Sequence, residues 1–200
     1  MATRTIKWYN DNAPQLLSTY ESIRSERLHN WLTPFLPDRG MPVLDVGAGT
    51  GRDAAWLRGL GYQVFAVEPA CQMRQLAYEH HGDQGITWID DHLPELPRLS
   101  LFSQDFHLIL LSAVWMHLPN EQRIPAMARL AQLIRPGGVL AISLRKGRLS
   151  EERGIFAVSE RELLRLTQQH GFELICHIDA LDQQGRSEVT WAKMAFRSKT

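Results

Sequence analysis

Met41-Pro42-Val43-Leu44-Asp45-Val46-Gly47-Ala48-Gly49-Thr50-Gly51-Arg52 decides how this chain is read. Val43, Leu44 and Val46 form a short apolar run, as in a strand covered on both faces. Three glycines at alternating positions end it. A helical pattern then starts, with Ala54, Ala55, Trp56, Leu57 and Leu60 at spacings of three and four. Strand, glycine turn and helix together let a ligand approach the backbone closely at the carboxyl end of a sheet.

Two ligand classes use such a turn. A dinucleotide fingerprint reads G-x-G-x-x-G and sets a pyrophosphate on the helix N-terminus. Here the spacing is G-x-G-x-G, and Arg52 stands where the third glycine belongs. A carboxylate at Asp45 disfavours a pyrophosphate and suits a cationic amino group. The stretch from Val43 to Gly51 resembles the first motif of Rossmann-like S-adenosylmethionine (SAM) dependent methyltransferases. SAM carries two positive groups and no phosphate.

The resemblance covers residues 40–197 and implies a single α/β domain over residues 1–200. Residues 1–39 form a helical lid and 40–200 the core, a seven-stranded, mostly parallel sheet with an antiparallel last strand. It implies SAM as cofactor, S-adenosylhomocysteine (SAH) as product and no metal. Gly47, Ala48, Gly49, Thr50 and Gly51 are expected against the cofactor. Tyr62–Val67 reads as strand 2, and Glu68 follows it, 21 residues after Gly47. There an acid receives both ribose hydroxyls. Pro69 opens the next segment, and Met73 is expected on the adenine face or in the core. After strand 3 (86–89), Asp90, with Asp91 as the fallback, is the expected partner of the adenine amine. Strand 4 covers 106–111, and its edge from Ser112 to Pro119 borders the methyl and its acceptor. Trp115 is expected to wall the substrate or to pack.

His117 is the candidate base, since imidazole takes a proton near neutral pH; the alternative is a loop-holding histidine. Tyr9 is a second catalytic candidate and Tyr20 a substrate contact, because the family's N-terminal segment closes over its ligands. Arg145 and Arg148, beyond strand 5 (139–144), are candidates for holding an anionic group. The edge lacks the Asn- or Asp-Pro-Pro-aromatic run of enzymes that methylate base amines, which counts against that activity.

Elsewhere the pattern predicts a helix from Pro14 to Trp31. Further helices follow over 121–134, with Ile124, Met127, Leu130, Leu133 and Ile134 inward, and from a capping box at Ser159 to His170. Arg135–Gly138 reads as a turn, and residues 172–179 and 188–196 as a closing hairpin. His80 and His81 look like metal ligands, but no third ligand is spaced to help them.

Lys+Arg and Asp+Glu balance at 22 each, so no global basic field points to nucleic acid. Two cysteines make no disulfide framework. No apolar run reaches membrane-spanning length, and the expected location is the cytoplasm. The favoured reading is a methyltransferase acting on an O, N or S atom of a small molecule. An RNA or protein methyltransferase, a non-catalytic SAM-binding protein and an NAD(P) reductase are the alternatives, and a homodimer stays open. The reductase is the weakest, for the spacing, Asp45 and the missing Tyr-x-x-x-Lys pair all oppose it.

Overall fold

A computed structural model describes residues 3–147 and 149–199. Arg148 lies outside the described residues. Seven strands form one sheet: β1 (Pro42–Val46), β2 (Gln63–Val67), β3 (Thr87–Ile89), β4 (Phe106–Ser112), β5 (Ile134–Gly147), β6 (Phe172–Leu181) and β7 (Val189–Ser198). Their order is β3-β2-β1-β4-β5-β7-β6. The first five are parallel, while β7 runs antiparallel to both β5 and β6. The last strand therefore inserts between its predecessors, and β6 takes the edge. Strand order reverses between β1 and β4, which opens a crevice at their carboxyl ends.

Alternation along each strand sorts the core into two layers. Leu44, Val46, Phe65, Ile109 and Ile142 enter one face. Val43, Val64, Leu108, Leu110 and Ala141 enter the other. The first face is covered by α5 (Asn120–Leu133) and α6 (Glu160–Gln169), through Met127, Leu130, Leu163 and Leu166. The second is covered by α3 (Arg52–Gly59) and a 3-10 turn over Asn30–Phe35, through Leu57 and Leu32. Each such leucine contributes about 2 kcal/mol by leaving water.

The N-terminal segment departs from expectation. In place of one helix from Pro14 to Trp31 there are α1 (Thr3–Glu21) and the single turn α2 (Ser25–Leu28). α1 starts earlier because Ile6, Tyr9, Ala13, Leu16 and Tyr20 recur at three and four. They pack against Met73 and Leu76 of α4 (Cys71–His81). Pro14 sits inside α1 on its exposed side. Asn10 reaches across to accept from the Gln72 N–H at 2.9 Å, so one helix supplies a partner for the open N-terminus of the other.

Two other readings shift by register. Ile124 is 63% exposed, and Arg123 is buried in its place. Its guanidinium donates to the Leu118 and Ala157 carbonyls and pairs with Glu162 at 2.7 Å, so every edge of the fork has an acceptor. The expected turn at 135–138 is a bulge within β5, since Phe106 pairs with Ile134 and Leu108 with Val139. Of the Ser159 capping box the N-cap half forms, with Glu162 N–H donating to Ser159 Oγ at 3.0 Å, while the Glu162 carboxylate goes to Arg123.

Candidate active site

The glycine turn leaves β1 with positive φ at Gly47, Gly49 and Gly51 (72°, 57° and 83°). A Cβ at Gly47 would lie 2.6 Å from Val114 Cγ2, whereas one at Gly49 would meet nothing within 4 Å. The first glycine serves packing and the second keeps the backbone open to the cavity. Gly51 precedes α3 outside the cavity lining and serves packing too, for a Cβ there would lie 3.1 Å from Ala77 and Trp88. Gly49 N–H donates to Glu68 Oε2 and Ala70 N–H to Oε1, each at 2.8 Å. Glu68 is thereby locked at the end of β2, facing the cavity. Burial raises its pKa against the pull of the two amides.

Asp45 is 1% exposed, and its Oδ2 accepts no hydrogen bond. Burial, then the charge of Asp53, push its pKa well above the carboxylate range. Asp53 goes the other way. Burial opposes its ionisation, but His29 and Arg52 hold it well below that range. It receives Ser25 Oγ and Arg52 Nε at 2.8 Å, and His29 Nε2 lies 2.9 Å from its Oδ2. One carboxylate of this pair is satisfied by the protein. The other is buried and lines the cavity, and the nearby Arg52 spends its hydrogen bonds on Asp53 and the Tyr20 carbonyl instead. A buried acceptor without a donor is costly unless a ligand supplies one.

Across the cavity, β4 runs into a 3-10 turn over Trp115–His117. His117 is 3% exposed, with Nδ1 2.9 Å from the Gly154 carbonyl. A carbonyl only accepts, so Nδ1 carries the proton and Nε2 is the acceptor. The Tyr9 hydroxyl, 3.0 Å from Nε2, therefore donates to it. Burial, with Arg153 and Arg145 nearby, lowers the His117 pKa to about 4, so the ring is neutral at pH 7. Tyr20 stands beside Tyr9, its phenol pushed up by burial. Arg153 lies over the Trp8 ring at 4.7 Å and donates to the Tyr20 and Tyr9 oxygens at 3.2 and 3.4 Å.

Of the residues singled out from sequence, Tyr9, Tyr20, Asp45, Gly47, Ala48, Gly49, Thr50, Glu68, Pro69, Ser112, His117 and Arg145 line one cavity. Besides Gly51, four others are placed elsewhere. Met73 is fully buried beneath α1, packed by Tyr9 and Tyr20, so it supports that helix. Trp115 is fully buried in the core and walls nothing. Asp90 is exposed and pairs with Arg74 at 2.8 Å. Asp91 spends its oxygens on the His92 and Arg98 amides, as a turn-former does.

Sequence reasoning missed Arg153, Arg186 and Lys193, which also line the cavity. They lie in the loop after β5, in the β6–β7 turn and on β7, where no spacing ties them to the glycine turn. It also missed Glu21. The histidine pair does acquire a third neighbour, for Glu21 lies 3.3 Å from His81 and 3.7 Å from His80. Thr50 Oγ1 donates to the same carboxylate at 2.6 Å, so this cluster ties the end of α1 to the glycine turn and to α4.

Comparison with known proteins agrees with this geometry. A family model described as a methyltransferase domain matches residues 20–177. An uncharacterized methyltransferase of Geobacillus sp. (strain WCH70) is 26% identical over 180 residues, covering 89% of this chain and 79% of the relative. The malonyl-[acyl-carrier protein] O-methyltransferase of Pectobacterium atrosepticum is 32% identical over 114 residues, 56% of this chain and 42% of that protein. Among solved structures, the Burkholderia thailandensis 1,6-didemethyltoxoflavin-N1-methyltransferase, bound to its substrate and SAH, has the same fold. It superposes with a TM-score of 0.68 at 23% identity, covering 88% of this chain and 77% of that one. No helix among the described residues is long and apolar enough to cross a membrane. The glycine turn with its two acids and the match over residues 20–177 agree, and the chain belongs to the methyltransferase domain family, of the class I SAM-dependent kind.

Proposed function

We propose that this methyltransferase acts on an O, N or S atom of a small molecule. The observation that carries the reading is the lid. α1 lays Ile6, Tyr9, Leu16 and Tyr20 along the cavity, and Tyr9 is hydrogen-bonded to His117 on the far wall. A site roofed by its own helix suits a ligand that fits beneath it. The toxoflavin methyltransferase, of the same fold, holds 1,6-didemethyltoxoflavin beside SAH.

The buried, donor-less Asp45 Oδ2 fits the amino group of SAM. Glu68 retains lone pairs for the ribose hydroxyls, and Gly47–Thr50, Pro69 and Ser112 complete the cofactor half. Arg52, beside Asp45 and Asp53, supplies positive charge near the turn. When bound, SAM supplies a methyl carbon on a positively charged sulfur. The chain's task is then to align an acceptor, keep water out and handle a proton. Tyr9 oxygen, whose own proton points at His117 Nε2, offers lone pairs to an acceptor's N–H or O–H. A proton taken there passes to His117, while the Gly154 carbonyl holds the ring. His117 is neutral at pH 7 and only weakly basic, which suits an acidic acceptor atom.

The test is SAH release across a metabolite panel, with RNA and protein fractions as further arms. Turnover of a small molecule is expected, and it should fall at least tenfold in Tyr9→Phe and His117→Gln while SAM binding is kept. Turnover confined to RNA or protein would overturn the small-molecule reading.

A further inference from the structure

The last residue of α1, Glu21, stands against His80 and His81 at the end of α4. Glu21 Oε1 lies 3.3 Å from His81 Nε2, and Oε2 lies 3.7 Å from His80 Nε2. Charge-assisted hydrogen bonds close to about 2.7–2.9 Å, so neither imidazole is drawn fully onto the carboxylate. The spacing suits an ion between them. Tetrahedral ligands at about 2.0–2.1 Å from Zn(II) stand about 3.4 Å apart. One ligand atom from each of the three residues lies within 4.8 Å of the other two. Thr50 Oγ1 donates to Glu21 Oε1 at 2.6 Å, the kind of outer hydrogen bond that orients a ligating carboxylate. The Glu21 and His81 side chains are mostly covered, while His80, 46% exposed, opens the cluster to solvent. An ion has a way in, and water can take the fourth position. Two imidazoles and one carboxylate suit Zn(II) and not Mg(II), which asks for oxygen ligands.

A second cluster, Glu160, His177 and Asp179, has similar residues but is already filled. Lys146 Nζ sits 3.0 Å from Glu160 and 2.6 Å from Asp179. Among the described residues the first cluster has no such ammonium. Arg52, whose charge reaches Glu21, spends its hydrogen bonds on Asp53 and the Tyr20 carbonyl.

We infer that Glu21, His80 and His81 form a binding site for one Zn(II) ion, which fastens the end of α1 to α4 and, through Thr50, to the glycine turn. At about 1.5 Å per residue, Tyr9 lies about 18 Å from Glu21 along the axis of α1. The ion therefore stands away from the Tyr9–His117 pair, and its task is to hold the helix rather than to act on an acceptor.

The test is calorimetric titration of the full chain, stripped of metal by a chelator, with zinc chloride at pH 7.5 and magnesium chloride as the control. One Zn(II) per chain should bind with a Kd of about 1 μM or tighter, and Mg(II) should give no heat at the same concentrations. Glu21→Gln, His80→Asn and His81→Asn should each weaken Zn(II) by about tenfold or more, whereas His177→Asn, in the second cluster, should change it by less than about twofold. His80→Asn, at the exposed position, keeps the test decisive if the His81 variant fails to fold. At a hundredfold excess over Kd, Zn(II) should raise the Tm of the parent by about 5 °C or more and slow tryptic cleavage at Arg24, with neither effect in His80→Asn. No Zn(II) binding below about 100 μM, equal affinity in the parent and the Glu21 and His80 variants, or a loss confined to His177→Asn would overturn the inference. So would binding that leaves cleavage at Arg24 as fast as before.

Discussion

Replacing His117 by Asn should flatten part of the acid sensitivity of this fold, by an amount set by burial. His117 titrates near 4 in the folded chain against an ordinary 6.5. The unfolded chain therefore takes up a proton first as pH falls, and the folded chain refuses it. The sign follows: the neutral ring's contribution is intact above pH 6.5 and is lost as pH drops from 6.5 towards 4. Each pH unit in that window costs about 1.4 kcal/mol, so the loss is about 1 kcal/mol at pH 5.5 and roughly 2–3 kcal/mol at pH 4.5. Other groups add to the acid dependence. Glu21 and Asp53 are held low and lose their contribution in acid, while Glu68 and Asp45 are held high and act in the opposite sense. The difference between parent and His117→Asn removes their shared effect. Urea unfolding of both at pH 7.5, 5.5 and 4.5 measures it. The variant is less stable at pH 7.5, having lost the bonds to Tyr9 and Gly154, and the gap should narrow by roughly 2–3 kcal/mol by pH 4.5. A gap that does not change with pH would refute a buried, neutral, Tyr9-bonded imidazole.

Further outcomes follow from the same geometry. SAM uptake should favour the ionised form of Asp45, whose proton affinity is raised by burial and then by the charge of Asp53. SAM affinity should then fall as the pH is lowered, and Asp45→Asn should remove that dependence and weaken SAM by about a hundredfold or more. Gly47→Ala places a methyl 2.6 Å from Val114 at positive φ and should lower stability by about 2 kcal/mol in thermal unfolding. Gly49→Ala meets no neighbour, so it should cost only about 1 kcal/mol, yet it should weaken SAM markedly by narrowing the open face of the turn. Glu21→Gln removes the charge that Thr50, His80 and His81 share. Tryptic cleavage at Arg24, between α1 and α2, should then be faster than in the parent, and SAM should suppress it in both.

Much of the glycine turn and its two acids was legible because it is local. An apolar run, three glycines and a helical period fall within about twenty residues, and turn chemistry dictates the backbone there. Glu68 is found by its place at the end of the next strand, and the capping box and closing hairpin by short spacing rules. Helix faces were less secure. A one-residue rotation exchanged Ile124 for Arg123, because three acceptors from separate segments wait for that guanidinium.

The amino-acid sequence by itself determined a glycine turn flanked by acids, and hence the class of nucleoside that fits it. Only the tertiary structure decided what faces that turn. Tyr9 and His117, 108 positions apart, share a hydrogen bond; Met73 and Trp115 turn into the core; and arginines from β5, its loop and the β6–β7 turn meet in one wall. Periodicity and turn preference act over a few residues, whereas these encounters depend on how whole layers pack, and no spacing along the chain encodes them.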